Sequence, residues 1–101
     1  MISFIVPAHN EEAWVGRCVS AIRNGAESQP YEIIVVDDAS SDATASIARQ
    51  QGALVIRVEH RQIPATRNTG ARQAHGDILF FVECRHIRPL TRGHIWATIG
   101  P

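Results

Sequence analysis

The chain has 101 residues, 45% of them hydrophobic, and a formal net charge of zero. That length allows one small domain with a thin core, and the apolar content excludes disordered and collagen-like classes. The balanced charge excludes a global field that would draw in nucleic acid or an anionic membrane.

The N-terminus lacks a basic stretch followed by a long apolar one, so it does not read as a signal peptide. The longest apolar runs, Ile33–Val36 and Ile78–Val82, are strand-length and far short of a membrane span. A cytoplasmic, reducing location is the expectation. Cys18 and Cys84 stand far apart in the chain and match no metal or redox spacing; Cys18 is expected to be a buried thiol.

In chain order, Ile2–Val6 predicts a short buried strand closed by Pro7. Asn10 follows as an expected helix N-cap, with Glu11 and Glu12 in the first turn, where the helix dipole favours acid. Val15, Cys18, Val19 and Ile22 lie at i, i+3, i+4 and i+7, the spacing of an amphipathic helix, and Asn24-Gly25 is expected to end it. Glu32–Val36 predicts a second strand, apolar without alternation because both its faces are covered. The loop Asp37–Asp42 leads into a helix over Asp42–Gln51, capped by Ser41 and stopped by Gly52. Ala53–Val58 predicts a third strand, Pro64–His75 a helix ended by Gly76, and Asp77–Val82 a fourth strand. This β-α-β-α-β-α-β order predicts an α/β fold with a parallel sheet and helices on both faces.

In such sheets ligands bind beyond the C-terminal strand ends, which selects three places. At Pro7–Glu12, backbone N–H groups of a helix start suit a phosphate or a polar ring edge; a plain capped helix is the alternative. At Asp37–Asp42, adjacent carboxylates call for donors such as a base N–H or ribose hydroxyls, although Asp also favours turns and caps. Within Ala65–Gly70, Arg67 suits phosphate or a base edge or serves as a solvated surface residue. His9, His60 and His75 have no metal-site spacing, and His9 alone lies at a ligand-binding edge.

Taken together, Ile5-Val-Pro7-Ala-His-Asn10-Glu-Glu12, Glu32-Ile-Ile-Val-Val-Asp37-Asp38-Ala-Ser-Ser-Asp42, Ala65-Thr-Arg67-Asn68-Thr-Gly70 and Gly76-Asp77-Ile-Leu-Phe-Phe-Val82 resemble the inverting family 2 glycosyltransferases. The four blocks stand in family order over about four-fifths of the chain. The resemblance implies a GT-A fold, of which residues 1–82 would be the Rossmann-like, nucleotide-sugar-binding half. It also implies a UDP-, GDP- or dTDP-sugar donor. By position it sets Pro7, Ala8 and Glu11 around base and ribose, Asp38 at the base edge and Arg67 nearby, with Asp37 and Glu83 also among the nucleotide-sugar-binding candidates. Most members carry Tyr where this chain has His9.

The family holds a divalent metal, Mn²⁺ or Mg²⁺, through an Asp-x-Asp after the fourth strand, and a carboxylate of its second half deprotonates the acceptor. Here the position reads Glu83-Cys84-Arg85. Glu83 suits a ribose or a metal-bound water, whereas Arg85 repels a cation; no metal ligand and no catalytic residue is therefore assigned. From Glu83 onward the formal charge is +2, against −2 before it. Residues 83–101 read as an irregular tail outside the family pattern. Inserting one A into GAT GCC GAC AT, a coding for Asp-Ala-Asp, yields GAA TGC CGA CAT, the Glu-Cys-Arg-His found here. An out-of-frame end explains both the lost motif and the altered charge; a diverged member that lost metal binding is the competing explanation. The resulting expectation is a glycosyltransferase donor-binding part with little or no turnover. The alternatives are a non-catalytic nucleotide-binding module and an unrelated flavodoxin-like domain. Four parallel strands also leave an unpaired edge open to self-association.

Overall fold

The computed structural model describes residues 1–26 and 28–84. Its elements are β1 (Ile2–Ala8), α1 (Val15–Ala26), β2 (Tyr31–Asp38), α2 (Thr44–Gln50), β3 (Leu54–Val58), α3 (Ile63–Gln73) and β4 (Ile78–Phe81). All the strands pair in parallel, in the order β3-β2-β1-β4, as the alternation of strand and helix patterns predicts.

Each helix is held by one face of the sheet. Phe4, Val6, Ile33 and Val35 point to one side and pack with Val15, Cys18, Val19 and Ile22 of α1 and Ala48 of α2. Ile5, Ile34 and Val36 point to the other side, against the C-terminal part of α3 and Ala74 beyond it. The chain therefore steps from β1 to β2 to β3 under one layer. It then returns to the far side of β1 through α3 on the opposite layer, the change of face that right-handed crossovers require. Helix α3 lies close to the sheet because residue 70 is glycine. A Cβ at Gly70 would stand 2.4 Å from Ile5 Cγ2 and 3.0 Å from Val36 Cγ2.

Pro7 lies inside β1 rather than closing it, paired in register with Val36. Ile5 accepts its bond from Val82 N–H on the β4 side, so alternation turns the Pro7 nitrogen to that side too. The β4 ladder has already ended at Phe81, and no ladder bond is lost there. Strand β2 likewise runs on through Asp37 and Asp38, where the sequence reading expects the loop, and several helix ends differ from that reading as well. Asn10 adopts a left-handed backbone (φ 51°) and does not cap α1, whose first bonds run to the Glu11 carbonyl. The helix passes through Asn24-Gly25 to Ala26. Asp42 rather than Ser41 receives the Thr44 N–H, 3.0 Å away, at the start of α2. Gly76 is no left-handed stop: Ala74 leaves α3 in extended backbone, and Gly76 is needed because a Cβ would strike Met1 O and Ser3 Oγ at 2.6 Å. Gly52, by contrast, ends α2 in the left-handed region (φ 93°).

Strands β3 and β4 form the two outer edges of the described sheet, and β4 leaves Ile78 and Leu79 exposed. No described helix is long and apolar enough to cross a membrane.

Candidate functional site

At the C-terminal ends of β1 and β2 the two following loops are laced together. The amides of Asn10, Glu11 and Glu12 donate to Ser40 Oγ (2.8 Å), Thr44 Oγ1 (2.8 Å) and Asp42 Oδ2 (3.2 Å). In return, Ser41 N–H and Ala43 N–H donate to Asn10 Oδ1 (2.9 Å) and Glu12 Oε1 (3.2 Å). Thr44 Oγ1 also donates a short bond to Asp42 Oδ1. These contacts correct the expectation of free amides for a phosphate at this helix start: the Ser-Ser-Asp-Ala-Thr loop already takes them. Asp42 gains from the arrangement. Burial opposes its charge, yet the Thr44 hydroxyl and the Thr44 and Glu12 amides outweigh that and hold its carboxyl below the usual range.

Strand alternation separates the adjacent carboxylates Asp37 and Asp38. Asp37 is fully buried and turns to the α2 side of the loop, accepting from Ser40 N–H (3.2 Å) and facing Arg57 Nε at 3.3 Å. Arg57 in turn donates to the Ser40 carbonyl (2.9 Å). Asp38 turns toward α3. Its Oδ1 accepts from Arg61 N–H (2.9 Å) and its Oδ2 from Thr66 Oγ1 (3.0 Å). Burial again works against the charge, but the amide of Arg61, the Thr66 hydroxyl and the amides of His60 and Gln62 prevail, and the Asp38 carboxyl is held low.

Above Asp38 opens a cavity of about 390 Å³ lined by Pro7, Ala8, His9, Glu11, Asp38, Ile63, Thr66, Glu83 and Cys84. It lies between the ends of β1 and β4, where the strand order reverses and the connections leave on opposite faces, the switch point at which parallel sheets bind ligands. Five of the seven residues singled out from the sequence line it: Pro7, Ala8, Glu11, Asp38 and Glu83. Arg67 stands behind the wall, 3.6 Å from Glu83 Oε1 and with its guanidinium carbon 5.5 Å from the Phe81 ring centroid. Asp37 does not line it, being engaged with Arg57 and Ser40.

The sequence reading left His9, Ile63, Thr66 and Cys84 unassigned. His9 Nδ1 lies 2.6 Å from the Asp38 carbonyl oxygen, which fixes the ring across the cavity mouth; its place at a strand end was the available signal. Thr66 lay within the Ala65–Gly70 block. Ile63 reaches the cavity only through the docking of α3, and nothing local marks it.

The residues after β4 do not fit a divalent cation. Glu83 is ion-paired with Arg67. The Cys84 thiol is pushed far up by the neighbouring Cys18 thiol, by burial and by the charge of Glu11, so it stays protonated and is a poor ligand. The third position is Arg85, which cannot ligate and lies outside the described residues, as does the rest of the tail expected to be out-of-frame. Among the described residues no three His, Cys, Asp or Glu side chains converge to hold a metal.

Comparison with known proteins places this geometry in a family. The glycosyltransferase AglE of Haloferax volcanii is 35% identical over 89 residues, covering 81% of this chain and 29% of that protein. Mannosyl-3-phosphoglycerate synthase from Rubrobacter xylanophilus superposes with a TM-score of 0.77 at 25% identity, over 88% of this chain and 32% of that one. Glucosyl-3-phosphoglycerate synthase from Mycobacterium tuberculosis, solved in complex with Mn²⁺, UDP and glucosyl-3-phosphoglycerate, superposes with a TM-score of 0.67 at 30% identity. That match covers 83% of this chain and 33% of the enzyme. The chain thus spans about a third or less of the length of these relatives, and the flavodoxin-like alternative falls away. The profile of Glycosyl transferase family 2 matches residues 3–84, and the chain belongs to that family.

Proposed function

We propose that the cavity between β1, α3 and Glu83 receives the base and ribose of a UDP-, GDP- or dTDP-sugar, and that the chain is the donor-binding part of a glycosyltransferase. The observation that carries this reading is Asp38, a buried carboxylate held charged by the chain around α3 and forming part of the cavity wall. An acceptor in that position suits the N–H of a base or a ribose hydroxyl. Pro7 and Ala8 supply a flat apolar floor, and Glu11 and His9 supply polar groups at its rim. A second reading, a nucleotide-binding module without turnover, is favoured by the Glu-Cys-Arg that replaces Asp-x-Asp.

Calorimetric titration of the full chain with UDP, GDP and dTDP, each with and without Mn²⁺, tests both. Binding of one nucleotide that weakens sharply in Asp38→Asn supports the site. Binding that Mn²⁺ does not strengthen favours the module, and binding that requires Mn²⁺ favours the transferase. A cooperatively folded chain that binds none of the three defeats the proposal.

A further inference from the structure

Asn10 has a left-handed backbone (φ 51°), and its N–H and both side-chain polar atoms are engaged. The N–H donates to Ser40 Oγ. Oδ1 accepts from Ser41 N–H (2.9 Å) and Ser41 Oγ (3.4 Å). A backbone amide only donates, so the carboxamide oxygen must face Ser41, and Nδ2 is left to face His9 Nε2 at 3.4 Å. The other ring nitrogen, Nδ1, lies 2.6 Å from the Asp38 carbonyl oxygen, which only accepts. The proton of a neutral His9 therefore sits on Nδ1, and Nε2 is the acceptor that the Asn10 amide requires.

We infer that Asn10 is a positioning residue for the cavity: it holds the His9 ring uncharged, in the Nδ1–H tautomer, across the mouth. His9 lines the cavity and Asn10 stands outside its wall, so Asn10 acts through His9. The role in binding rests on the nucleotide reading of the cavity; the tautomer does not. With Nδ1 given to Asp38 and Nε2 to Asn10, the ring keeps no hydrogen-bonding edge for a ligand and offers a flat, neutral surface. A proton on Nε2 would set a second N–H against the Asn10 amide and lose that bond. Two consecutive residues thus tie the ends of β1 and β2 together, His9 through Asp38 and Asn10 through Ser40 and Ser41. A ring already held in one pose spares the ligand the cost of ordering it, and affinity rises by that amount.

A long-range proton–nitrogen correlation spectrum of the full, isotopically labelled chain reads the tautomer at about pH 8, where an ordinary imidazole is neutral. His9, identified by the signals missing from His9→Ala, should show Nδ1 protonated and Nε2 bare. Asn10→Asp keeps the acceptor for Ser41 but replaces the donor with a carboxylate oxygen, and should put a proton on Nε2 as well. Asn10→Gly, which suits the left-handed backbone, should give a mixture of tautomers. It should also weaken binding of whichever of UDP, GDP and dTDP the unsubstituted chain takes, by roughly fivefold. In the His9→Ala background the same substitution should change affinity little further. A tautomer mixture or an Nε2–H ring in the unsubstituted chain would overturn the inference, as would a bare Nε2 in Asn10→Asp. So would an Asn10→Gly effect equally large without the His9 ring, which would leave Asn10 a structural residue only. An unsubstituted chain that binds none of the three overturns the donor-site reading and the binding role with it, while the tautomer stands or falls on the spectra.

Discussion

Strand β2 carries a carboxylate near each end, and the two do the same mechanical task with different consequences. At its C-terminal end Asp38 accepts the Arg61 amide just before α3 and the Thr66 hydroxyl inside it. Near its start Glu32 accepts the His75 amide (2.6 Å) just after α3 and the Ser3 hydroxyl (2.6 Å) from β1. Ser3 Oγ in turn accepts the Gly76 amide at 2.8 Å. Helix α3 is thus pinned to β2 at both ends. As with Asp38, burial opposes the charge on Glu32; bonds from Ser3 and His75, with the His75 charge, outweigh it and hold the carboxyl low. A surface pocket of about 370 Å³, lined also by Arg23, Tyr31, Gln51 and Leu54, lies beside Glu32, and the cavity at the C-terminal strand ends lies beside Asp38. At the Glu32 end Gly76 lets the chain press onto Met1 and Ser3, whereas at the C-terminal end the diverging connections of β1 and β4 leave a gap. A well-bonded carboxylate beside a pocket is therefore not by itself a sign of a site; its place at the C-terminal strand ends, where the connections diverge, is what sets Asp38 apart.

Acid should break both pins at once and give the largest effect. Each carboxyl has a folded value below its ordinary one, 3.8 for Asp38 and 4.5 for Glu32, so the unfolded chain binds these protons more readily. Their stabilisation is complete above about pH 5 and is lost as pH falls through the depressed folded values. Denaturant melts between neutral pH and about pH 3 should show a level midpoint down to about pH 5 and a fall below it; a profile flat to about pH 3 would remove the pins from the account. Asp38→Ala comes next. It strands the Arg61 amide beside a buried Thr66 and should cost roughly 2–4 kcal/mol, with nucleotide binding lost in the fraction that stays folded. For Glu32→Ala, about 20% exposed at the side chain, the loss should be roughly 1–2 kcal/mol, and nucleotide affinity should persist once folding is corrected for. Equal loss of binding in both variants would show that the ends are not distinct. The smallest effect belongs to His75→Ala. Its ring is 75% exposed and 3.2 Å from Glu32, its amide bond survives the substitution, and the midpoint should move by no more than about 0.5 kcal/mol.

The sheet was legible because continuously apolar strands alternate with amphipathic helices, and that pattern admits few folds. Most of the cavity was legible as well, since Pro7, Ala8 and Asp38 stand at the C-terminal ends of strands, Glu11 follows β1 and Glu83 follows β4. Helix ends were read less well. Asn10, Ser41 and Gly76 have the residue types of caps and stops, but their groups bond or pack across the chain, to Ser40 and Ser41, to Asn10, and to Met1 and Ser3 respectively. Propensity describes a residue's local options and is silent about a partner thirty positions away.

By itself the sequence determined the parallel α/β order, the family and the strand ends at which a ligand belongs, because periodicity and short motifs are local properties of the chain. Which carboxylate meets the cavity was decided only by tertiary structure: pleating sends Asp37 to Arg57 and Asp38 to α3. Contacts between distant segments depend on how helices and strands dock, and spacing along the chain does not record that.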